Sequence, residues 1–111
     1  MPNTVQPGVD ELFAALANST RRELLRLLRD EGAQPVEQLA ARFAMRRPSI
    51  SEHLKVLREA GLVREARRGR QRYYQLEARP LADVQAWLEP YERFWRGTLA
   101  NLRTLLDEEA P

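Results

Sequence analysis

The chain of 111 residues has the length of a single domain, and its composition already excludes several classes of protein. It contains no cysteine, which excludes disulfides and thiolate-ligated zinc. No apolar run approaches the ~20 residues that cross a bilayer, and residues 1–12 lack the pattern of a signal peptide. We therefore expect a cytoplasmic protein with no membrane partner.

The formal net charge of +2 conceals a strong segregation of charge along the chain. Residues 42–72 carry ten basic and three acidic side chains, a local net charge of +7, which leaves −5 for the rest. An evenly mixed, solvated surface is the ordinary alternative, but a concentrated basic stretch is typical of a site for a phosphate backbone. Of the 18 basic residues 17 are arginine, which suits bidentate contacts to phosphate and guanine.

The predicted elements begin after a loose arm over residues 1–8, which contains two prolines and one glycine and shows no apolar period. A first amphipathic helix is predicted by apolar residues at i, i+3, i+4 and i+7, namely Val9, Leu12, Phe13 and Leu16. The spacing of Thr20 and Glu23 predicts a capping box at the start of a second, leucine-rich helix that ends at Gly32.

Two more helices and a hairpin follow. Pro35 suits the first turn of a short third helix. A fourth helix runs from about residue 47 to 60, and its apolar stripe is formed by Ile50, Leu54 and Leu57. After Gly61 the period changes from 3.6 towards 2, which predicts a hairpin over residues 62–76 with Gly69 at its turn.

The helical period returns beyond Pro80 and continues to the end of the sequence. A seam of period 3.5 is formed by Val84, Leu88, Tyr91, Trp95, Thr98, Leu102 and Leu105. Pro90 and Gly97 lie inside it and predict a kink or a break.

The order α-α-α-α-β-β-α, with a basic hairpin before the last helix, predicts a winged helix-turn-helix, a mainly α fold with a small β-hairpin. The fourth helix would enter the major groove of B-DNA, and the hairpin tip would reach the minor groove or the phosphates. The candidate DNA contacts are Arg46, Arg47, Ser49, Ser51, Glu52, His53, Lys55, Arg58, Arg67, Arg68, Arg70 and Arg72. We divide the chain into the arm (1–8), the DNA-binding region (9–78) and a dimerisation helix (79–111), packed as one domain.

The candidate contacts differ in their expected roles. Arg47 and Ser51 lie near the start of the fourth helix and are best placed for base edges, whereas Lys55, Arg58 and the hairpin arginines suit phosphates. Glu52 either reads a base or positions arginine side chains, and we favour the second role. The sequence Arg46-Arg47-Pro48 offers no side-chain cap to this helix, so the arginines would meet a phosphate there.

Three stretches resemble the ArsR family of bacterial repressors: LFAALANSTRRELL at 12–25, SISEHLKVLREAGLV at 49–63 and GRQRYYQL at 69–76. The resemblance implies a homodimer, with paired recognition helices on an inverted-repeat operator and transcription blocked. The first and last helices would form its interface, for which the apolar periods supply Leu12, Leu16, Val84, Leu88, Tyr91, Trp95, Leu102 and Leu105.

The metal-sensing motifs of that family are missing. Many members sense metals through a Cys-x-Cys pair on the third helix or through His and acidic pairs on the last, but residues 34–38 hold no thiol and the last helix holds no His. The acidic residues 107–109 would form only a weak oxygen-ligated site. His53, the only imidazole, is expected to pack near the turn. We therefore expect no metal and no cofactor, and release of DNA by a small ligand, a co-regulatory sensor protein or the protein's own concentration.

Two other functions compete with this interpretation. Ser49 and His53 lie four residues apart on one helix face, but no acid is placed to orient the imidazole, so we expect no enzyme. A winged helix that binds a protein through its aromatic C-terminal helix is the stronger alternative. A log affinity for DNA that falls linearly with log salt concentration would support a repressor, and indifference to DNA would favour the protein-binding alternative.

Overall fold

The computed structural model describes residues 7–109, so most of the predicted arm lies outside the described residues. It contains the elements α1 (Pro7–Leu16), α2 (Ser19–Glu31), β1 (Gln34–Pro35), α3 (Val36–Ala40), α4 (Arg47–Glu59), β2 (Val63–Arg68), β3 (Gln71–Leu76) and α5 (Leu81–Glu109). The predicted winged helix-turn-helix is confirmed. Two differences at this level are an α1 that begins at Pro7 rather than Val9, and a strand, β1, that the sequence did not predict.

The predicted capping box of α2 is wrong. The residue that caps the helix is Asn18, whose extended backbone lets its side-chain Oδ1 accept a hydrogen bond from the Arg21 N–H at 3.1 Å. Thr20 therefore lies inside the first turn, and Glu23 pairs with Arg26 instead of reaching back to a cap. The predicted end at Gly32 is confirmed, because its N–H donates to the Leu28 carbonyl at 3.1 Å with a φ of 84°.

Pro35 was predicted in the first turn of the third helix and is instead the extended residue that precedes it. It pairs opposite Tyr73, and Gln34 pairs opposite Tyr74, so β1 is one edge of a three-stranded antiparallel sheet of order β1-β3-β2. A proline is tolerated there because an edge strand needs hydrogen bonds on one side only. This strand joins the start of α3 to the hairpin.

The core holds α4 against the other helices and the sheet. Its fully buried side chains come from α2, α3, α4 and the entry to β2, namely Leu24, Leu27, Leu39, Ile50, Leu54, Leu57, Leu62 and Val63. Leu12 and Ala15 of α1 belong to the same cluster. Within residues 7–109 every buried side-chain nitrogen or oxygen atom has a hydrogen-bond partner. The orientation of α4 is thus set by the packing of its apolar face against these other elements.

The last helix, α5, is a single helix of 29 residues with Pro90 inside it, so of the predicted kink or break the break is wrong. Leu81 and Val84 in its first turns pack against the core, and Trp87 meets the ring of Phe13 edge-on at 5.4 Å between centroids. Trp87 and most of the large apolar side chains that follow it expose 51–70 % of their surface, whereas Leu88 is partly buried. We call this face the C-terminal apolar stripe, which consists of Trp87, Tyr91, Phe94, Trp95, Leu99, Leu102, Leu105 and Leu106.

Across residues 7–109, no helix combines the length and the apolar character that a membrane span requires.

Candidate nucleic-acid interface

One face of α4 is buried and the opposite face is open to solvent. Ile50, Leu54 and Leu57 are completely buried, and at 100° per residue they define the inner side of the helix. The outer side carries Arg47, Ser51, Lys55 and Arg58, of which only Ser51 is partly covered. The side chains available to DNA therefore form one polar stripe.

This stripe forms one wall of a groove whose other wall is the hairpin. The predicted contacts that line the groove are Arg47, Ser51, Glu52, Lys55, Arg58, Arg70 and Arg72. We call it the helix–hairpin groove. It brings basic residues that are up to 25 positions apart in the sequence onto one concave surface, which is what a duplex backbone requires.

The start of α4 is capped by no side chain. Arg46 is the N-cap, with extended backbone angles, and within the described part of the chain its side chain makes no capping bond. The Ser49 N–H donates to the Arg46 carbonyl at 3.0 Å. Backbone N–H groups at the start of a helix, together with the positive end of the helix dipole, attract anions such as phosphate. The predicted absence of a side-chain cap is confirmed.

Two carboxylates pair with three of the four arginines that line the groove. Glu37 at the start of α3 pairs with Arg47 at 3.0 Å. Glu65 of β2 pairs with Arg58 at 2.7 Å and with Arg72 at 3.3 Å. Among the side chains described, those of residues 8–108, Glu52 forms no such pair, so the arginines of the groove that pair with a carboxylate do so with Glu37 and Glu65.

Tyr74 of β3 contacts the same carboxylate. Its hydroxyl donates to Glu65 Oε1 at 3.4 Å. Partial burial raises the pKa of Tyr74 above its ordinary value, and the charge of Glu65 raises it further. The phenol therefore stays protonated at neutral pH and remains a hydrogen-bond donor.

The hairpin places its arginines on two faces. Gly69 adopts a φ of 62° at the turn, as predicted, and Arg70 follows it at the tip. Arg67 lies directly opposite Arg72 in the strand register. Arg68 points to the other face, where its guanidinium stacks over the Tyr73 ring at 5.0 Å, so it lies away from the helix–hairpin groove.

His53 is half-buried and lies beside α2. Its Nδ1 is 3.2 Å from Nη1 of Arg21, and that guanidinium also donates to the carbonyls of Ala14 and Ala15 at the end of α1. His53 thus packs near a helix turn, as expected. The contact links α1, α2 and α4 through a single arginine.

Sequence reasoning missed Glu37, Glu65, Tyr74 and Arg21 as parts of this region. For Glu65 a signal was present, because alternation along β2 places it on the same face as buried Val63 and the hairpin register places it opposite Tyr74. Arg21 carried no such signal, since its partners depend on how the helices pack.

The predicted dimer residues divide into two groups. Leu12 exposes only 2 % of its surface and belongs to the core of its own chain, while Leu16, Val84 and Leu88 are partly buried. Tyr91, Trp95, Leu102 and Leu105 lie on the exposed C-terminal apolar stripe. The part of the predicted interface that a partner could cover is therefore mainly the stripe.

Among the side chains that the structure describes, those of residues 8–108, no group of three or more His, Cys, Asp or Glu could hold a metal ion.

Comparison with known proteins agrees with this geometry. A family model described as a helix-turn-helix domain matches residues 16–66. The chain is 38 % identical over 90 % of its length to the HTH-type transcriptional regulator Rv2034 of Mycobacterium tuberculosis, of which it covers 90 %. It is 34 % identical over 72 % of its length to the transcriptional repressor SdpR of Bacillus subtilis, of which it covers 88 %.

Solved structures show the same relationship. A crystal structure of an ArsR family transcriptional regulator superposes with a TM-score of 0.73 at 33 % identity, over 86 % of this chain and 97 % of that one. A homodimeric winged helix-turn-helix domain from Mycobacterium bovis superposes with a TM-score of 0.62 at 30 % identity, over 78 % of this chain and 79 % of that one.

An α4 with one buried and one basic face, placed beside an arginine-rich hairpin, is the arrangement typical of a winged helix-turn-helix DNA-binding regulator. The relatives share that architecture along nearly the whole chain. The chain belongs to the ArsR family of transcriptional regulators.

Proposed function

We propose that this protein is a repressor that binds an inverted-repeat operator in double-stranded DNA as a homodimer. The observation that carries the proposal is the helix–hairpin groove, in which α4 and the hairpin present basic side chains to the same concave surface. The repressor role is supported by the similarity to SdpR, which is named a transcriptional repressor.

The outer face of α4 would enter the major groove. Arg47 and Ser51 lie in its first turns and would read base edges, because the start of a recognition helix penetrates the groove most deeply. Lys55 and Arg58 lie further along the same face, and Arg70 and Arg72 on the hairpin, where they would contact phosphates. The open start of α4 would bind a further phosphate.

The homodimer would form through the C-terminal apolar stripe, together with α1. Eight large apolar side chains on one face of a helix are more than a soluble surface normally leaves exposed, and a second copy of the helix would bury them. The similar domain from M. bovis is described as homodimeric. Two copies of α4 would then meet successive major-groove segments about 34 Å apart.

The signal that releases DNA would be a small ligand or a co-regulatory sensor protein. The chain has no cysteine, so the thiolate metal sites used by many members of the family are not available to it.

The test selects binding sites from a library of random duplexes and measures affinity for the selected duplex and for a scrambled one across a range of salt concentrations. The wild type should enrich an inverted repeat, and its log affinity should fall linearly with log salt concentration. Enrichment of no duplex, or an affinity that does not respond to salt, would contradict the proposal and favour the protein-binding alternative.

Two variants assign the roles within the groove. Arg47→Ala should cost about 1–3 kcal/mol on the selected duplex and relax its sequence preference, whereas Arg70→Ala should weaken both duplexes by the same factor and reduce the salt slope by about 1. Arg93→Ala is the matched control, because Arg93 is an exposed arginine of α5 outside the groove. If both groove variants behaved like this control, the assignment of the groove to DNA would be wrong.

A further inference from the structure

A carboxylate lies among the arginines that the proposed function assigns to DNA. Glu65 exposes only 19 % of its side chain, and it contacts three groups from two other elements: Arg58 of α4, and Arg72 and Tyr74 of β3. A negative charge at this position repels the phosphates that the groove is meant to attract. We therefore expect Glu65 to contribute to DNA binding in a way that outweighs this repulsion.

We propose that Glu65 is a positioning residue for DNA recognition, which holds Arg58 and Arg72 in place and sets the angle between α4 and the hairpin before DNA arrives. The inference rests on the proposed function and deepens it. Arg58 and Arg72 would otherwise be two like charges close together, and the carboxylate between them neutralises their mutual repulsion.

The geometry leaves both arginines able to contact phosphate while Glu65 holds them. Each of the two arginines donates to the carboxylate through its own Nη1 only, at 2.7 Å for Arg58 and 3.3 Å for Arg72. A guanidinium carries five N–H donors. Nε and Nη2 of both residues therefore lie outside this contact, and neither arginine has to leave Glu65 in order to bind a phosphate oxygen.

The benefit is a smaller loss of entropy on binding. Ordering a long side chain at an interface costs conformational entropy, and one carboxylate orders two arginines here before DNA arrives. Glu65 also connects the two walls of the groove, since Arg58 belongs to the recognition helix and Glu65 to the hairpin. The spacing between those walls must match the duplex at every base pair that α4 reads. The connection therefore affects the affinity for a specific operator more than the affinity for a random duplex.

The experiment compares Glu65→Gln and Glu65→Asp with the wild type on the selected operator and on a scrambled duplex. Glu65→Gln should bind the operator about tenfold more weakly, while its affinity for the scrambled duplex stays the same or rises because a negative charge is gone. Glu65→Asp keeps the charge but shortens its reach by one methylene, so it too should lose operator affinity. Glu77→Gln is the matched control, because Glu77 pairs with Arg64 at 3.4 Å, away from α4.

Three results would overturn the inference. If Glu65→Gln tightened both duplexes by the same factor, Glu65 would act only as a repelling charge. Wild-type operator affinity of Glu65→Asp would show that the reach of the carboxylate does not matter, which contradicts a positioning role. A Glu65→Gln variant that matched Glu77→Gln on both duplexes would give the residue no role in recognition.

A second measurement needs no substitution at Glu65 and so does not depend on whether the variants fold. In the DNA-free wild type, NMR order parameters of the arginine Nε–H groups should be higher for Arg58 and Arg72 than for Arg70 at the hairpin tip. Equal mobility of the three would refute the positioning role. A wild type that selects no duplex would overturn the proposed function, and this inference with it. If the wild type does select an operator, the Glu65 variants test the inference alone.

Discussion

A carboxylate introduced at Trp95 should separate the proposed dimer into single chains. Trp95 leaves 57 % of its surface exposed in one chain, at the middle of the C-terminal apolar stripe. Of the ~250 Å² that a tryptophan can bury, this is about 140 Å², or about 3.5 kcal/mol at 25 cal/mol per Å². A symmetric dimer contains the residue twice, so Trp95→Glu should lose about 7 kcal/mol, which is about 10⁵-fold in the dissociation constant.

The loss is larger still because each new carboxylate would have to give up hydration to enter the interface. A nanomolar dimer would then dissociate at about 0.1 mM. Sedimentation equilibrium at micromolar concentration should give twice the chain mass of 12.9 kDa for the wild type and the single mass for the variant. Circular dichroism should show that the variant keeps its helices.

Ala100→Glu is the matched control. Ala100 is exposed on α5, two residues before Leu102 and therefore about 200° away from it around the helix, on the face opposite the stripe. This variant should sediment as a dimer. If Trp95→Glu and the double variant with Leu102→Glu also remained dimers, the stripe would not be the interface. A monomeric wild type would instead favour a different protein as the partner of the stripe.

Two further predictions concern stability. Arg21→Ala should lower the free energy of unfolding, measured in urea, by about 2 kcal/mol, because it removes hydrogen bonds to two α1 carbonyls and to His53. The control Arg29→Ala removes only an exposed surface pair and should lower it by less than about 1 kcal/mol. Equal losses in the two variants would disprove the linking role of Arg21. The hydrogen bond from Arg42 holds the pKa of the Glu31 carboxyl below its ordinary value. The pair therefore stabilises the fold fully at a pH above the ordinary pKa of a glutamate, and this stabilisation is lost as the pH falls through the lowered pKa. Urea midpoints measured from neutral pH down to about pH 3 should therefore fall less steeply for Glu31→Gln than for the wild type, and identical slopes would contradict this assignment.

The residues close together in the sequence determined most of the elements. The apolar stripe of α4 appeared from its 3.6-residue period, and the hairpin from the change of period and from Gly69, whose φ of 62° is one that other residues rarely adopt. The concentration of basic charge over residues 42–72 indicated the side of the fold that we propose to bind DNA. Such signals need no tertiary information, because helix periodicity and turn geometry depend on neighbours a few residues apart.

Other features depended on which distant segments meet. Pro35 became an edge-strand residue because β3 lies beside it, and α5 continued through Pro90, where the local rule allowed a break. The sequence contains sixteen acidic residues, and the register of the hairpin brings Glu65 near Arg72, but only the packing of α4 against the hairpin decided that Glu65 would also meet Arg58. An ion pair forms with whichever opposite charge the fold brings within about 4 Å, and a one-dimensional pattern does not contain that distance. The sequence by itself therefore determined the elements and the basic stretch, while the tertiary structure decided how the arginines of that stretch are held.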